Sequence, residues 1–192
     1  HVNLAPEPAY TTTTLVCDAA ANPDTDGEAV TMQYQWTLNG APTGHASSEL
    51  EETAFVKDDV LRCSVTPFDG VDYGETLHSN EVTIQNSLPV LASIHISPDD
   101  PQETTVLDCA AGIVTDSDEP PGIEVNYNWR VNGSEIEETT DYLTGDHFNK
   151  HDEVFCTITP NDGEDDGITL ISETLTVLNT VPTIASMEIS PS

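Results

Sequence analysis

Four short stretches concentrate carboxylates. They read NPDTDGE at 22–28, PFDGVDYGE at 67–75, TDSDEPPG at 115–122 and PNDGEDDG at 160–167. Thirteen of the chain's 35 Asp and Glu residues lie in them, although they make up about a sixth of its length. Alternating carboxylates beside a glycine suit calcium, which takes about six to eight oxygen ligands and needs a sharp turn to gather them. The candidate ligands are Asp24, Asp26, Glu28, Asp69 and Asp72, and then Asp116, Asp118, Glu119, Asp162 and Asp165. DTDGE matches the opening of an EF-hand loop but lacks its distant Glu and flanking helices. The plainer reading is that Asp, Asn, Gly and Pro simply build turns.

Other chemistries fit less well. The six histidines fall at unrelated points of the pattern described below, which argues against a repeated zinc or catalytic site. There is no GxSxG nucleophile motif. Paired carboxylates are inevitable in so acidic a chain and carry little weight. The expectation is a non-enzyme. The formal net charge is -31, with 35 acidic residues against 4 basic ones. Such a surface repels phosphate backbones and anionic membranes. It also repels itself unless salt or bound metal screens it. A salty habitat is a further explanation for the charge. No apolar run reaches the ~20 residues of a membrane span. No signal peptide opens the chain, and none would survive in a mature protein.

The elements that must position these loops are written twice. CSVTPFDGVDYG at 63–74 returns as CTITPNDGEDDG at 156–167. LVCDAA at 15–20 returns as LDCAAG at 107–112, YQWTLNG at 34–40 as YNWRVNG at 127–133, and FVKDD at 55–59 as FNKHD at 148–152. A repeat of this length reads as tandem domains rather than a solenoid. The expected boundaries are 1–88 and 89–181, with 182–192 opening a third copy. Within each copy the apolar period is two. Met32, Tyr34, Trp36 and Leu38 alternate with polar neighbours, as do Val125, Tyr127, Trp129 and Val131. These are half-buried strands. Asn39-Gly40 and Asn132-Gly133 read as tight hairpin turns. Pro67 and Pro160 are expected to end their ladders, and Thr11 to Thr14 to be strand, with O-glycosylation the lesser reading. Asn132-Gly133-Ser134 is also an N-glycosylation sequon.

Four cysteines, two per copy and without a CxxC, suggest two disulfides and an extracellular setting. Cys17, Trp36 and Cys63, and again Cys109, Trp129 and Cys156, resemble the Cys…Trp…Cys pattern of immunoglobulin-like domains. That resemblance implies two all-β Greek-key sandwiches, with bridges Cys17–Cys63 and Cys109–Cys156 linking strands B and F. Leu61 and Val154 stand where antibody domains carry the tyrosine of the tyrosine corner. The chain therefore looks more like the tandem immunoglobulin-like repeats of large secreted prokaryotic surface proteins. On this alignment the acidic stretches become the B–C and F–G loops, which emerge at one end of each sandwich.

The linker QNSLPVLAS at 85–93 is short and contains proline, hence stiff. Its pattern recurs once more: QNSLPVLASIHISP at 85–98 matches LNTVPTIASMEISP at 178–191. The tail thus repeats a first strand that both copies already own. Met187 and Ile189 are expected to pack into another repeat or another molecule by strand addition. The expected function is a structural rod, stalk or filament whose partners are further repeats or copies of itself, with calcium stiffening its joints. The alternative is an adhesin or glycan-binding segment using the acidic loop ends. Tyr73 has Asp166 as its counterpart, and the lack of a repeated aromatic platform favours the rod.

Overall fold

A computed structural model describes residues 1–20, 22, 27–118, 122–184 and 186–187. The chain divides into two compact units. The first comprises His1–Ser87 with Ser117–Glu119, and the second comprises Leu88–Asp116 with Pro120–Ser192. Each is an immunoglobulin-like β-sandwich.

In the first unit the strands are β1 (Val2–Ala5), β2 (Ala9–Tyr10), β3 (Leu15–Ala19), β4 (Thr31–Leu38), β5 (Ala41–Pro42), β6 (Glu49–Leu50), β7 (Val60–Phe68), β8 (Leu77–His78) and β9 (Val82–Gln85). One sheet has the order β1-β3-β6. The other has the order β2-β9-β7-β4-β5, with β8 also on β7. The chain crosses between sheets after β1, returns after β2, crosses again after β3, returns after β5, and crosses once more after β6. Alternate side chains of β3, β4 and β7 point inward, as a period of two requires. Leu15, Cys17, Trp36, Leu61, Cys63 and Val65 are buried between the sheets. Cys17 and Cys63 are joined across them.

The second unit repeats this plan with β10 (Val90–Leu91), β11 (Ile94–Ser97), β12 (Leu107–Ala111), β13 (Val114–Thr115), β14 (Glu124–Val131), β15 (Ser134–Ile136), β16 (Tyr142–Leu143), β17 (Glu153–Asn161), β18 (Leu170–Ile171) and β19 (Leu175–Thr176). Its sheets are β11-β12-β16 and β15-β14-β17-β18, with β19 also on β17, and β10 pairs with β13. Cys109 and Cys156 are joined. Among the described residues no helix is long and apolar enough to cross a membrane.

Several side-chain pins recur in both units. Asn39 and Asn132 take positive φ (51° in each) ahead of glycines at 79° and 78°, the geometry of a type I′ hairpin turn. The Asn39 amide reaches across to the start of β7. Its Nδ2 donates to Asp59 (2.7 Å), and its Oδ1 accepts the Val60 N–H (2.9 Å). Asn132 does the same with Asp152 (2.8 Å) and Glu153 (3.0 Å). Ser79 and Ser172 are buried where the last strand kinks, and each hydroxyl accepts the N–H of the cysteine opposite (3.1 Å). Each buried tryptophan Nε1–H donates to a backbone carbonyl, Ser47 (2.8 Å) or Thr140 (2.9 Å).

Two sequence expectations are corrected. Pro67 and Pro160 do not end their ladders, for they pair with Met32 and Val125 and the strands run one residue further. The reason is parity. The Asn39 N–H donates to the Val60 carbonyl, and hydrogen-bonded pairs alternate along an antiparallel ladder. Pro67 therefore falls in a pair that exchanges no N–H bond with β4, so the ladder loses nothing. The Thr11–Thr14 run is a turn rather than a strand. Thr13 Oγ1 accepts the Tyr10 N–H (2.9 Å) and the Thr13 N–H donates to the Tyr10 carbonyl (2.9 Å). Gln102 and Thr105 repeat both bonds (2.8 and 2.9 Å).

Candidate functional site

The register of β4 on β7 sets Thr31 opposite Phe68. The loop entering β4 and the loop leaving β7 therefore share one end of the first sandwich. Glu124 opposite Asn161 does the same in the second. The strand ends that carry these stretches therefore adjoin, although Ser117 and Asp118 of the 115–122 stretch group with the first unit.

Each β7-type loop is headed by its first aspartate. Asp69 Oδ1 accepts the N–H groups of Val71 and Asp72 (2.7 Å each). Asp162 Oδ1 accepts those of Glu164 (2.8 Å) and Asp165 (2.7 Å). One oxygen of each is thus committed to shaping its own loop, as turn-forming aspartates are. In the first unit Phe68 and Tyr73 stack across the loop with ring centroids 4.5 Å apart. In the second, the matching positions are polar, and Asn161 Nδ2 donates to Asp166 (2.8 Å). Glu28, Asp72 and Asp165 are exposed, while Asp116 and Asp118 are half-buried. Asp118, grouped with the first unit, accepts the Ser87 N–H and the Thr11 hydroxyl. Asp24, Asp26, Glu119 and Ile189 lie outside the described residues. Met187 is described and exposed.

The Asp72 N–H, and after it the Val71 N–H, hold the Asp69 carboxyl below the ordinary aspartate range. Asp152 is lowered likewise, first by the Asn132 amide and then by the Asn149 N–H. A folded-state pKa below the unfolded one gives stability that is present above the unfolded pKa and lost as pH falls through the folded one. Carboxyl-carbon NMR titration should therefore find Asp69 and Asp152 still ionised after most surface carboxylates have protonated. Titration of either within the ordinary aspartate range would contradict these bonds.

Among the described residues, the grouping with metal-like spacing is His95, Asp99 and Glu173, and the acidic stretches do not contribute to it. His95 Nδ1 lies 2.8 Å from Glu173 Oε1. No repeat signal marks it. Asn3, Glu7 and Asn80 occupy the matching places, where Asn80 clasps the Leu4 backbone (2.9 and 3.2 Å). All three residues of the second-unit trio are exposed, and the first unit's use of the same positions marks it as a latch between the first strand and the kink before β19. Asn132 of the sequon is exposed, but its amide is already used by the hairpin. Asn39 makes the same bonds in a sequence, Asn-Gly-Ala, that is no sequon.

The same end of the first unit holds a cleft of about 370 Å³. Met32, Val65, Pro67 and Leu77 supply apolar wall, and Asp69 and Asp72 line the acidic side.

No family model matches this chain, and no curated protein matches it. Solved structures similar to it include the FN1-FN3 domains of chicken CNTN1, with a TM-score of 0.41 and 9% identity over 96% of this chain and 67% of that one. Another is the chicken interferon gamma receptor alpha chain, with a TM-score of 0.47 and 7% identity over 93% of this chain and 97% of that one.

Proposed function

We propose that this chain is a non-enzymatic structural segment of an extracellular repeat array, a rod, stalk or filament, with calcium at the acidic loop ends. One observation carries the reading. The two sandwiches reproduce each other down to individual pins: Asn39–Asp59 as Asn132–Asp152, Ser79 as Ser172, Thr13 as Thr105. Their loop tips meanwhile diverge, Val71 and Tyr73 facing Glu164 and Asp166. A repeated module without a repeated aromatic tip suits a spacer that sets length and stiffness better than a shared binding face. The two disulfides fit an oxidising compartment. The partners are further repeats or copies of the same chain.

The stacked Phe68 and Tyr73 beside the cleft of the first unit favour a second reading, an adhesin segment that holds a glycan on an aromatic face. Small-angle scattering separates rod from string and globule. A compact globule of 192 residues has a radius of gyration of about 16 Å. The rod reading expects a clearly larger value with calcium present, the same at low and high sodium. A value near the globular one, or the broad distance distribution of a flexible string, sinks it.

A further inference from the structure

The first and last strands of each sandwich belong to different sheets, β1 and β9 in one unit, β11 and β19 in the other. A side chain from the kink before the last strand fastens the first strand down. In the first unit this is Asn80, whose amide bonds both backbone groups of Leu4. Its Nδ2 also lies 3.5 Å from Glu7 Oε2. The kink and the end of the first strand thus bring their side chains together.

In the second unit Ile96 is buried, so the period of two turns His95 outward. There its Nδ1 meets Glu173 Oε1 at 2.8 Å. One ligand atom each from His95, Asp99 and Glu173 lie within 4.8 Å of one another. The Glu173 backbone is held in place by the Ser172 hydroxyl, which donates to its carbonyl (2.8 Å). Its own N–H, then His95, then the Ile96 N–H hold the Glu173 carboxyl below the ordinary glutamate range. One imidazole nitrogen and two carboxylate oxygens are a zinc-type set, which bonds at about 2.0–2.2 Å with tetrahedral geometry. Calcium, by contrast, takes oxygens alone and about six to eight of them. The first unit is the internal control. Asn3, Glu7 and Asn80 occupy the same places, and amides are not zinc ligands. Between the units, both amides become zinc ligands while the acid stays an acid.

We propose that His95, Asp99 and Glu173 bind a divalent ion of the zinc class, which clamps the first strand of the second sandwich to the kink before its last strand. The ion takes His95 Nδ1 in its deprotonated form, so a proton carried there leaves to solvent. Water completes the tetrahedron. All three residues are exposed, so the ion enters without parting the sheets. The site is separate from the acidic loops and does not rest on the rod reading.

The test follows the six histidine rings of the whole chain by nitrogen NMR, at about 0.5 M sodium chloride, where diffuse attraction to the acidic surface is screened. Calcium chloride is added first and should leave the His95 ring unmoved. Zinc chloride added next should move His95 before the other five histidines, with Nδ1 as the bound nitrogen. Glu173→Asn and His95→Asn each put the first unit's residue in place, so the strand keeps a partner. In Glu173→Asn the zinc needed to move His95 should rise at least about tenfold. Zinc should also raise the melting midpoint reported by Trp129 and leave that of Trp36 unchanged, and His95→Asn should abolish the gain. A His95 ring that moves no earlier than the others, an equal response to calcium, or an unchanged zinc midpoint in Glu173→Asn would each overturn the proposal.

Discussion

Replacing Cys17 and Cys63 together by alanine should lower the stability of the first sandwich by about 4 kcal/mol, because a bridge closing a loop of this size removes that much chain entropy from the unfolded state. The sequence separation is 46, and 47 for Cys109–Cys156. Small domains hold only about 5–15 kcal/mol in total, and this chain also carries the self-repulsion of a net charge of -31. The midpoint of melting should fall by roughly 15–30 °C at the usual conversion for a domain of this size. Alanine is the appropriate replacement, since both sulfurs are buried between the sheets beside Trp36 and a hydroxyl there would lack a partner. Each unit holds one tryptophan, Trp36 or Trp129, so fluorescence assigns the loss. The double variant should expose Trp36 at a temperature where Trp129 remains buried. A loss below about 1 kcal/mol would mean that the unfolded chain is already compact, and the entropic account of the bridge would fail.

Calcium should raise the melting temperature far more than sodium does at equal ionic strength. Screening acts through ionic strength and treats salts alike, whereas an ion bound only to the folded state stabilises it by mass action. That effect is about 2.7 kcal/mol per site at a hundredfold excess over Kd, or roughly 10–20 °C for one domain. The acidic stretches recur in both units, and register sets the strand ends that carry them side by side. Asp69 and Asp162 each commit one oxygen to their own loop. Changing Asp24 and Asp26 to asparagine should remove the gain from the first unit. If excess chelator in high sodium leaves the melting curve where calcium had put it, the acidic stretches are solvated turns or an adaptation to salt.

Much of this architecture is set by near-neighbour pattern, and that part was legible. Alternation at Met32, Tyr34, Trp36 and Leu38 names the buried face because successive strand residues point to opposite sides. Asn-Gly names the hairpin because both turn residues need positive φ. The Cys…Trp…Cys spacing, met twice in phase, named the sandwich. What the local pattern could not supply was which residues meet. Pro67 and Pro160 survive inside strands because of the parity of their register, a property of two strands rather than one. Thr13 leaves the expected strand because its hydroxyl finds the Tyr10 N–H. Asp59 and Asp152, in the repeated FVKDD and FNKHD stretches, bond the side chains of Asn39 and Asn132, 20 residues earlier. The same limit applies to Leu91, which nothing in LPVLASI marks as core and which the packed sheets of the second unit bury. Composition and period determine which faces must be covered, but the cover itself depends on where the crossings of the two sheets bring distant segments together.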